Sequence, residues 1–223
     1  MSFRPLVLAL VAISLGACSP EDSEPVDGSD ASPVARPDDA ADVAGKEAET
    51  VTALTCDYPV RGSDTADSLR KRYGDDAQVD MLAGPEGTEI PGLLLWSDDM
   101  ARAVEVGFAS EERDRVAFVR VFAGSTWTVE GLAVEDSLER MVDINGAPVT
   151  FRGFGWDYGG TVTDFGAGKL AQRADCDIFI ILDSPPEDVQ LPMRLMGEGE
   201  ISSESDDVPA GSITVGEIGL SYL

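Results

Sequence analysis

The chain has 223 residues, a formal net charge of −26 and no histidine. Such a charge repels nucleic acid phosphates, so we expect no nucleic acid partner. Without histidine, the chain lacks the commonest general base and zinc ligand, and with them the usual Ser-His and Cys-His mechanisms. It also lacks a phosphate-binding loop and a dinucleotide-binding fingerprint. The composition therefore predicts no catalytic residue, no metal and no cofactor.

Residues 1–18 have the layout of an export signal. Arg4 is followed by an apolar run from Pro5 to Leu15, which is too short to span a bilayer as a stable helix. The run ends in Leu15-Gly16-Ala17-Cys18, which resembles the lipobox of bacterial lipoproteins. The alternative is a plain secretory leader that happens to contain a cysteine.

The lipobox resemblance implies a lipid anchor at Cys18. In that family the leader is cut just before the cysteine and the thiol is diacylated, and two or three acyl chains give stable membrane anchoring. Ser19, rather than aspartate, occupies the next position. By the enterobacterial pattern, this implies a location in the cell envelope at the outer membrane, facing the periplasm.

Residues 19–50 are predicted to form a disordered acidic tether. They contain ten acidic and two basic residues and almost no large apolar side chain, so they cannot bury enough surface to offset the entropy of ordering. Residues 51–223 are long enough for a single globular domain with its own core.

Two short helices are predicted in this domain, because capping residues precede apolar positions at helical spacing and glycines follow them. The first helix covers about residues 64–73, and the second follows Asp136. The predicted N-caps are Ser63 or Asp64 and then Asp136 with Glu139 as its partner, and the predicted stops are Gly74 and Asn145-Gly146.

Short apolar or alternating runs predict the strands of the domain. The run 115–123 is apolar on both faces, which favours a central strand. The fold class is therefore α+β, an antiparallel sheet of about six to eight strands with two short helices packed on one side. The predicted extended segments are 52–56, 78–82, 90–96, 102–108, 115–123, 127–132, 149–152, 161–165, 176–182 and 213–222.

The pattern Gly131…Ser137-Leu138-Glu139…Gly146-x-Pro148 resembles the helix-to-strand signature of small envelope lipoproteins and secreted inhibitors of the SmpA/OmlA and β-lactamase-inhibitor type. The resemblance covers residues 131–148. It implies short helices packed on one face of an antiparallel sheet, and an envelope protein as a partner.

The stretch Gly153–Thr161 is the candidate binding site, because it combines four glycines and three aromatic residues around one aspartate. In the functional interpretation, Trp156 and Tyr158 are stacking platforms for a sugar or a cation, and Asp157 is a hydrogen-bond acceptor. In the structural interpretation, Asp157 caps turn amides while Trp156 and Phe154 fill the core.

Two further charged residues belong to this candidate site. Asp164 follows Asp157 by seven residues and forms a carboxylate pair with it next to the aromatic residues. Arg152 precedes the turn, and we expect it to form an ion pair with Asp157 or Asp164, with anion binding as the alternative.

The favoured function is a non-enzymatic envelope lipoprotein that binds an envelope protein or a glycan through this turn. The alternative is a carboxylate-dependent hydrolase, for example a carbohydrate-active one.

A disulfide is predicted between Cys56 and Cys176. The chain has three cysteines, and lipidation of Cys18 leaves two in an oxidising compartment. Two free buried thiols are the alternative.

Overall fold

The computed structural model describes residues 52–171, 175–186 and 189–222. The predicted leader, the lipidation site Cys18 and the acidic tether lie outside the described residues. Within the described ranges, no helix combines the length and the apolar character that a membrane crossing requires. The described part is α+β, as predicted, but its strands form three sheets instead of one.

The described residues form twelve strands and two α-helices. In chain order they are β1 (Thr52–Ala53), α1 (Ala66–Tyr73), β2 (Ala77–Ala83), β3 (Glu89–Leu95), β4 (Val104–Phe108), β5 (Val116–Val121), β6 (Trp127–Val129), β7 (Leu132–Ala133), α2 (Leu138–Asn145), β8 (Thr150–Arg152), β9 (Val162–Asp164), β10 (Asp177–Asp183), β11 (Glu200–Ser202) and β12 (Thr214–Ser221).

The largest sheet has six antiparallel strands in the order β10-β12-β5-β4-β3-β2. Strand β5 is internal, as its apolar run predicts. One row of register partners crosses five of the strands. Register partners point to the same face of a sheet, and all five side chains of this row are buried. The row consists of Leu93, Val106, Val119, Leu220 and Ile178.

Two small sheets complete the fold. Strand β1 pairs in parallel with β6, which pairs with β7, and the other sheet has the order β11-β8-β9. The second small sheet adjoins β10, because the N–H of Leu182 donates to the carbonyl of Gly160 at 2.9 Å. Gly160 has φ +77°, and a Cβ there would collide with the backbone of Leu182. Only glycine fits at this junction.

Helix α1 begins later than predicted, at Ala66. Its N-cap is Thr65, whose side chain accepts a hydrogen bond from the N–H of Ser68 in a capping box. Asp64 is buried and paired with Arg72, so its carboxylate is not the cap. Gly74 ends the helix, as predicted.

Helix α2 shows the same displacement. Its N-cap is Ser137, because the Asp136 carboxylate accepts a hydrogen bond from the N–H of Ala133 instead. The predicted partner of Asp136, Glu139, accepts from the N–H of Gly211 at 2.7 Å. Gly146 ends α2 in the left-handed conformation, as the sequence predicts.

The predicted disulfide between Cys56 and Cys176 is confirmed, with the two Cα atoms 5.6 Å apart. It joins the segment after β1 to the residue that precedes β10. The cross-link closes a loop of 120 residues in sequence separation.

Candidate functional site

The turn Gly153–Thr161 connects β8 to β9 and is fixed by backbone hydrogen bonds. Within it, the N–H of Gly160 donates to the carbonyl of Arg152 at 3.0 Å. The segment before β11 holds its other side, since Phe154 donates to the carbonyl of Leu195 and accepts from the N–H of Gly197, both at 2.8 Å. Phe154 is buried, as the structural interpretation predicts.

Trp156 and Tyr158 form an aromatic pair on this turn. Their ring centroids lie 5.3 Å apart at an interplanar angle of 58°. Trp156 is half-buried, and its indole N–H donates to the carbonyl of Gly153 at 2.8 Å, which fixes the ring. Tyr158 is 43% exposed, and its hydroxyl lies 3.4 Å from a carboxylate oxygen of Glu86. The pair therefore presents a positioned aromatic surface to solvent.

Asp157 lies between these two residues in the sequence and is exposed. Its side chain makes no hydrogen bond or ion pair within the described residues. The structural interpretation gives Asp157 a capping role that it does not have among the described residues. Asp164 has such a role in the turn after β9, where its Oδ1 accepts a hydrogen bond from the N–H of Gly166 at 2.7 Å. Of the two carboxylates, Asp157 is therefore the one available to a ligand.

Arg152 does not pair with either aspartate, which corrects the expectation from the sequence. It lies opposite Glu200 in the register of β8 and β11, and the two side chains form an ion pair at 3.6 Å. Its guanidinium also donates to the carbonyl of Glu198 at 3.0 Å. Cross-strand neighbours are the closest available partners, so Arg152 joins two strands and lies outside the candidate binding surface.

Sequence reasoning missed a charged cluster on the six-stranded sheet, on the face opposite the buried row. Arg120 of β5 donates from Nε to Glu105 of β4 at 2.8 Å and lies 3.5 Å from Glu217 of β12. Its Nη2 donates to the carbonyl of Ala83 at 2.8 Å. The side chains of Arg120, Glu105 and Glu217 are only 14%, 27% and 13% exposed. Isolated charges inside otherwise apolar strands are the sequence signal that could have revealed this cluster.

Burial raises the pKa of the Glu217 carboxyl above its ordinary value. The positive charge of Arg120 opposes the rise and the negative charge of Glu105 adds to it. Desolvation disfavours the ionised form of a carboxylic acid, and one guanidinium shared between two carboxylates compensates only in part. Ionisation of Glu217 therefore lowers the stability of the folded state.

A pocket of about 240 Å³ adjoins this cluster. Of the lining residues, Leu94 belongs to β3 and Glu105 to β4, and Phe122 directly follows β5. Met100 and Ala103, which lie between β3 and β4, also line it. Arg120 stacks on Phe122, with its guanidinium carbon 5.1 Å from the ring centroid. The pocket is mostly apolar with a carboxylate on one wall, which is the composition typical of small-ligand sites.

Within the described ranges, no three cysteine, aspartate or glutamate side chains lie close enough together to hold a metal ion. No protein-family model matches the chain, and comparisons with curated proteins and with solved structures find no match.

Proposed function

We propose that this protein is a lipoprotein of the cell envelope, anchored through Cys18 at the outer membrane, whose folded domain binds a partner and catalyses no reaction. The leader ending in Leu15-Gly16-Ala17-Cys18 supports the anchor. The disulfide between Cys56 and Cys176 supports an oxidising compartment, because cytosolic proteins rarely keep one.

The arrangement of Trp156, Asp157 and Tyr158 carries the binding proposal. A pair of aromatic rings and an exposed aspartate lie on one turn that backbone hydrogen bonds hold in place. Aromatic rings stack on the apolar faces of sugars while a carboxylate accepts hydrogen bonds from hydroxyls. Little ordering entropy is lost on binding because the turn is already fixed. An envelope glycan is therefore the favoured partner.

Metabolic labelling tests the anchor. Cells that express the full-length chain are given a clickable palmitate analogue, and the wild type is compared with Cys18→Ala. We expect label and membrane fractionation for the wild type and loss of both for the variant. Equal labelling of the two proteins would overturn the proposed anchor.

Co-sedimentation with purified peptidoglycan sacculi tests the binding surface. We expect Trp156→Ala, Tyr158→Ala and Asp157→Asn each to weaken binding about tenfold, the loss expected when a stacking or hydrogen-bonding contact is removed. Tyr58→Ala is the matched control, since Tyr58 is an exposed aromatic residue outside the turn. Unchanged sedimentation of all three variants would refute the glycan proposal.

The same experiment separates binding from the alternative, a carboxylate-dependent hydrolase. That function would need a second carboxyl group acting with Asp157, and Asp164 is engaged by the N–H of Gly166. Release of soluble sugars from the sacculi by the wild type, and its loss in Asp157→Asn, would favour the hydrolase.

A further inference from the structure

The pocket beside the charged cluster is built by regular structure. Leu94 and Glu105 are register partners on β3 and β4, and Glu105 is in turn the partner of Arg120 on β5. Phe122 follows Arg120 by two residues, so it shares this face of the sheet. Strand pairing thus places Leu94 and Glu105, and Phe122 follows directly after β5.

Met100 lies at the edge of the pocket and is adaptable. Its side chain is 71% exposed and contacts Gly124, where a Cβ would collide with the thioether. Gly124 has φ +85°, a conformation that favours glycine. A methionine so placed can move to cover a ligand, because its unbranched thioether adapts to irregular shapes.

The structure describes all of the residues that line the pocket, and Glu105 is the only charged one among them. The charge of the pocket therefore comes from Glu105. Its Oε2 accepts a hydrogen bond from Arg120. Its Oε1 makes no hydrogen bond within the described residues. Arg120 is shared with Glu217, so the cluster has two carboxylates for one guanidinium. The pocket therefore has an acceptor oxygen available and a negative balance of charge.

We propose that this pocket binds a small organic cation with an apolar body. The ammonium group donates to Glu105, and the apolar body packs against Leu94, Met100 and Phe122. The net charge of −26 raises the local concentration of cations. The site is separate from the Trp156–Tyr158 turn, so the proposal does not depend on the glycan-binding function.

Phenethylamine is the probe, and binding to the full-length chain is measured by ligand-observed NMR and calorimetry. We expect saturable binding with a Kd of about 0.1–1 mM, since the ligand is small. The matched ligands 2-phenylethanol and phenylacetate have nearly the same shape but are neutral and negative. We expect both to bind about tenfold more weakly or not at all, because they lack the ammonium group.

Two variants test the position of the site. Glu105→Gln keeps an acceptor for Arg120 but removes the charge, and we expect it to weaken phenethylamine binding about tenfold. Ala103→Leu fills the pocket and should abolish binding while all three charges of the cluster remain. Glu111→Gln removes an exposed carboxylate outside the pocket and should leave the affinity unchanged.

Three results would overturn the proposal. They are the absence of saturable phenethylamine binding, equal or tighter binding of phenylacetate, and an affinity that neither Glu105→Gln nor Ala103→Leu changes. A failure of sacculus binding would leave this proposal intact, since the two experiments use different ligands and different residues.

Discussion

Asp157 lies in the turn between β8 and β9, Asp164 is the last residue of β9, and their carboxylates differ in their contacts. The carboxylate of Asp164 accepts a hydrogen bond from the N–H of Gly166, which has φ +57°. Asp157 is exposed and makes no such bond in the part of the chain that the structure describes. We therefore expect Asp164 to contribute to stability and Asp157 to be available for binding.

The expected stability effects of the two aspartates differ. Asp164→Ala should lower the free energy of unfolding by about 1 kcal/mol, because Gly166 loses its hydrogen-bond acceptor. Asp157→Ala should change the free energy by less than about 0.5 kcal/mol, as is usual for an exposed residue without partners. Urea unfolding of the two variants beside the wild type measures both. A larger loss in Asp157→Ala than in Asp164→Ala would contradict this assignment.

The sequence identified this turn but not the task of each residue. Glycine and aromatic content predicted an ordered turn, and backbone hydrogen bonds hold it in place. Asp164 caps the next turn instead, because its partner Gly166 has a left-handed conformation that the pattern does not contain. The partner of Arg152 was missed for a similar reason, since Glu200 becomes its neighbour only when β11 pairs with β8.

At the scale of the elements, local sequence patterns predicted the ends of the two helices better than their starts. Gly74 and Gly146 were correctly predicted as the stops, because their role depends mainly on their own conformational freedom. Both N-caps were predicted too early, by one residue at Asp64 and Asp136 and by two at Ser63. The reason is that Asp64 and Asp136 have other partners, Arg72 at the far end of α1 and the N–H of Ala133.

Strand positions were mostly predictable, but their pairing was not. The run 213–222 was predicted as a strand and contains β12, yet its place between β10 and β5 follows from long-range pairing. Strands of two or three residues, such as β1, β7 and β9, form the small sheets. Strands this short have too few residues for a clear alternation, so a single sheet was predicted where three exist.

The pairing of β4, β5 and β12 brings Glu105, Arg120 and Glu217 together. The ionisation of Glu217 depends on pH and affects the stability of the folded state. Glu217 has a pKa raised from an ordinary value of 4.5, chiefly by burial. The folded state then binds more protons than the unfolded state, so stability falls as the pH rises from about 4.5 through the folded-state pKa. The wild type is therefore less stable above the folded-state pKa of Glu217 than below about pH 4.5.

We expect Glu217→Gln to raise the free energy of unfolding at pH 7 by about 1 kcal/mol, or the melting temperature by about 2–4 °C, because it removes a buried charge. The gain should vanish below about pH 4, where both states of the wild type have a protonated Glu217. Thermal unfolding across this pH range measures the difference, and Glu111→Gln, an exposed carboxylate, provides the control. A variant less stable than the wild type at pH 7 would mean that the contact with Arg120 outweighs burial.

At the scale of the whole molecule, the two ends of the described chain meet. The hydroxyl of Tyr222 donates to the carbonyl of Val60 at 2.9 Å, and the ring packs so closely on Gly62 that a Cβ there would collide with it. Strand β12 lies inside the six-stranded sheet, so the sheet is complete only when the last strand is in place. Such long-range closure is costly in chain entropy, and a cross-link offsets part of that cost.

The disulfide between Cys56 and Cys176 is that cross-link. It closes a separation of 120 residues, for which the chain-entropy account predicts a stabilisation of about 4–5 kcal/mol. This is a large part of the total stability of an ordinary domain. The double variant Cys56→Ala/Cys176→Ala should therefore unfold at a much lower urea concentration than the wild type. Addition of a reductant should lower the urea midpoint of the wild type to a similar value.

Cys18→Ala provides the matched control, because it removes a cysteine outside the cross-link and should leave the urea midpoint of the folded domain unchanged. The effect of reductant on the double variant should be absent, since no disulfide remains to be broken. Equal urea midpoints for the double variant and the wild type would contradict the prediction. Contacts such as that between Tyr222 and Val60 would then be sufficient to hold the two ends together.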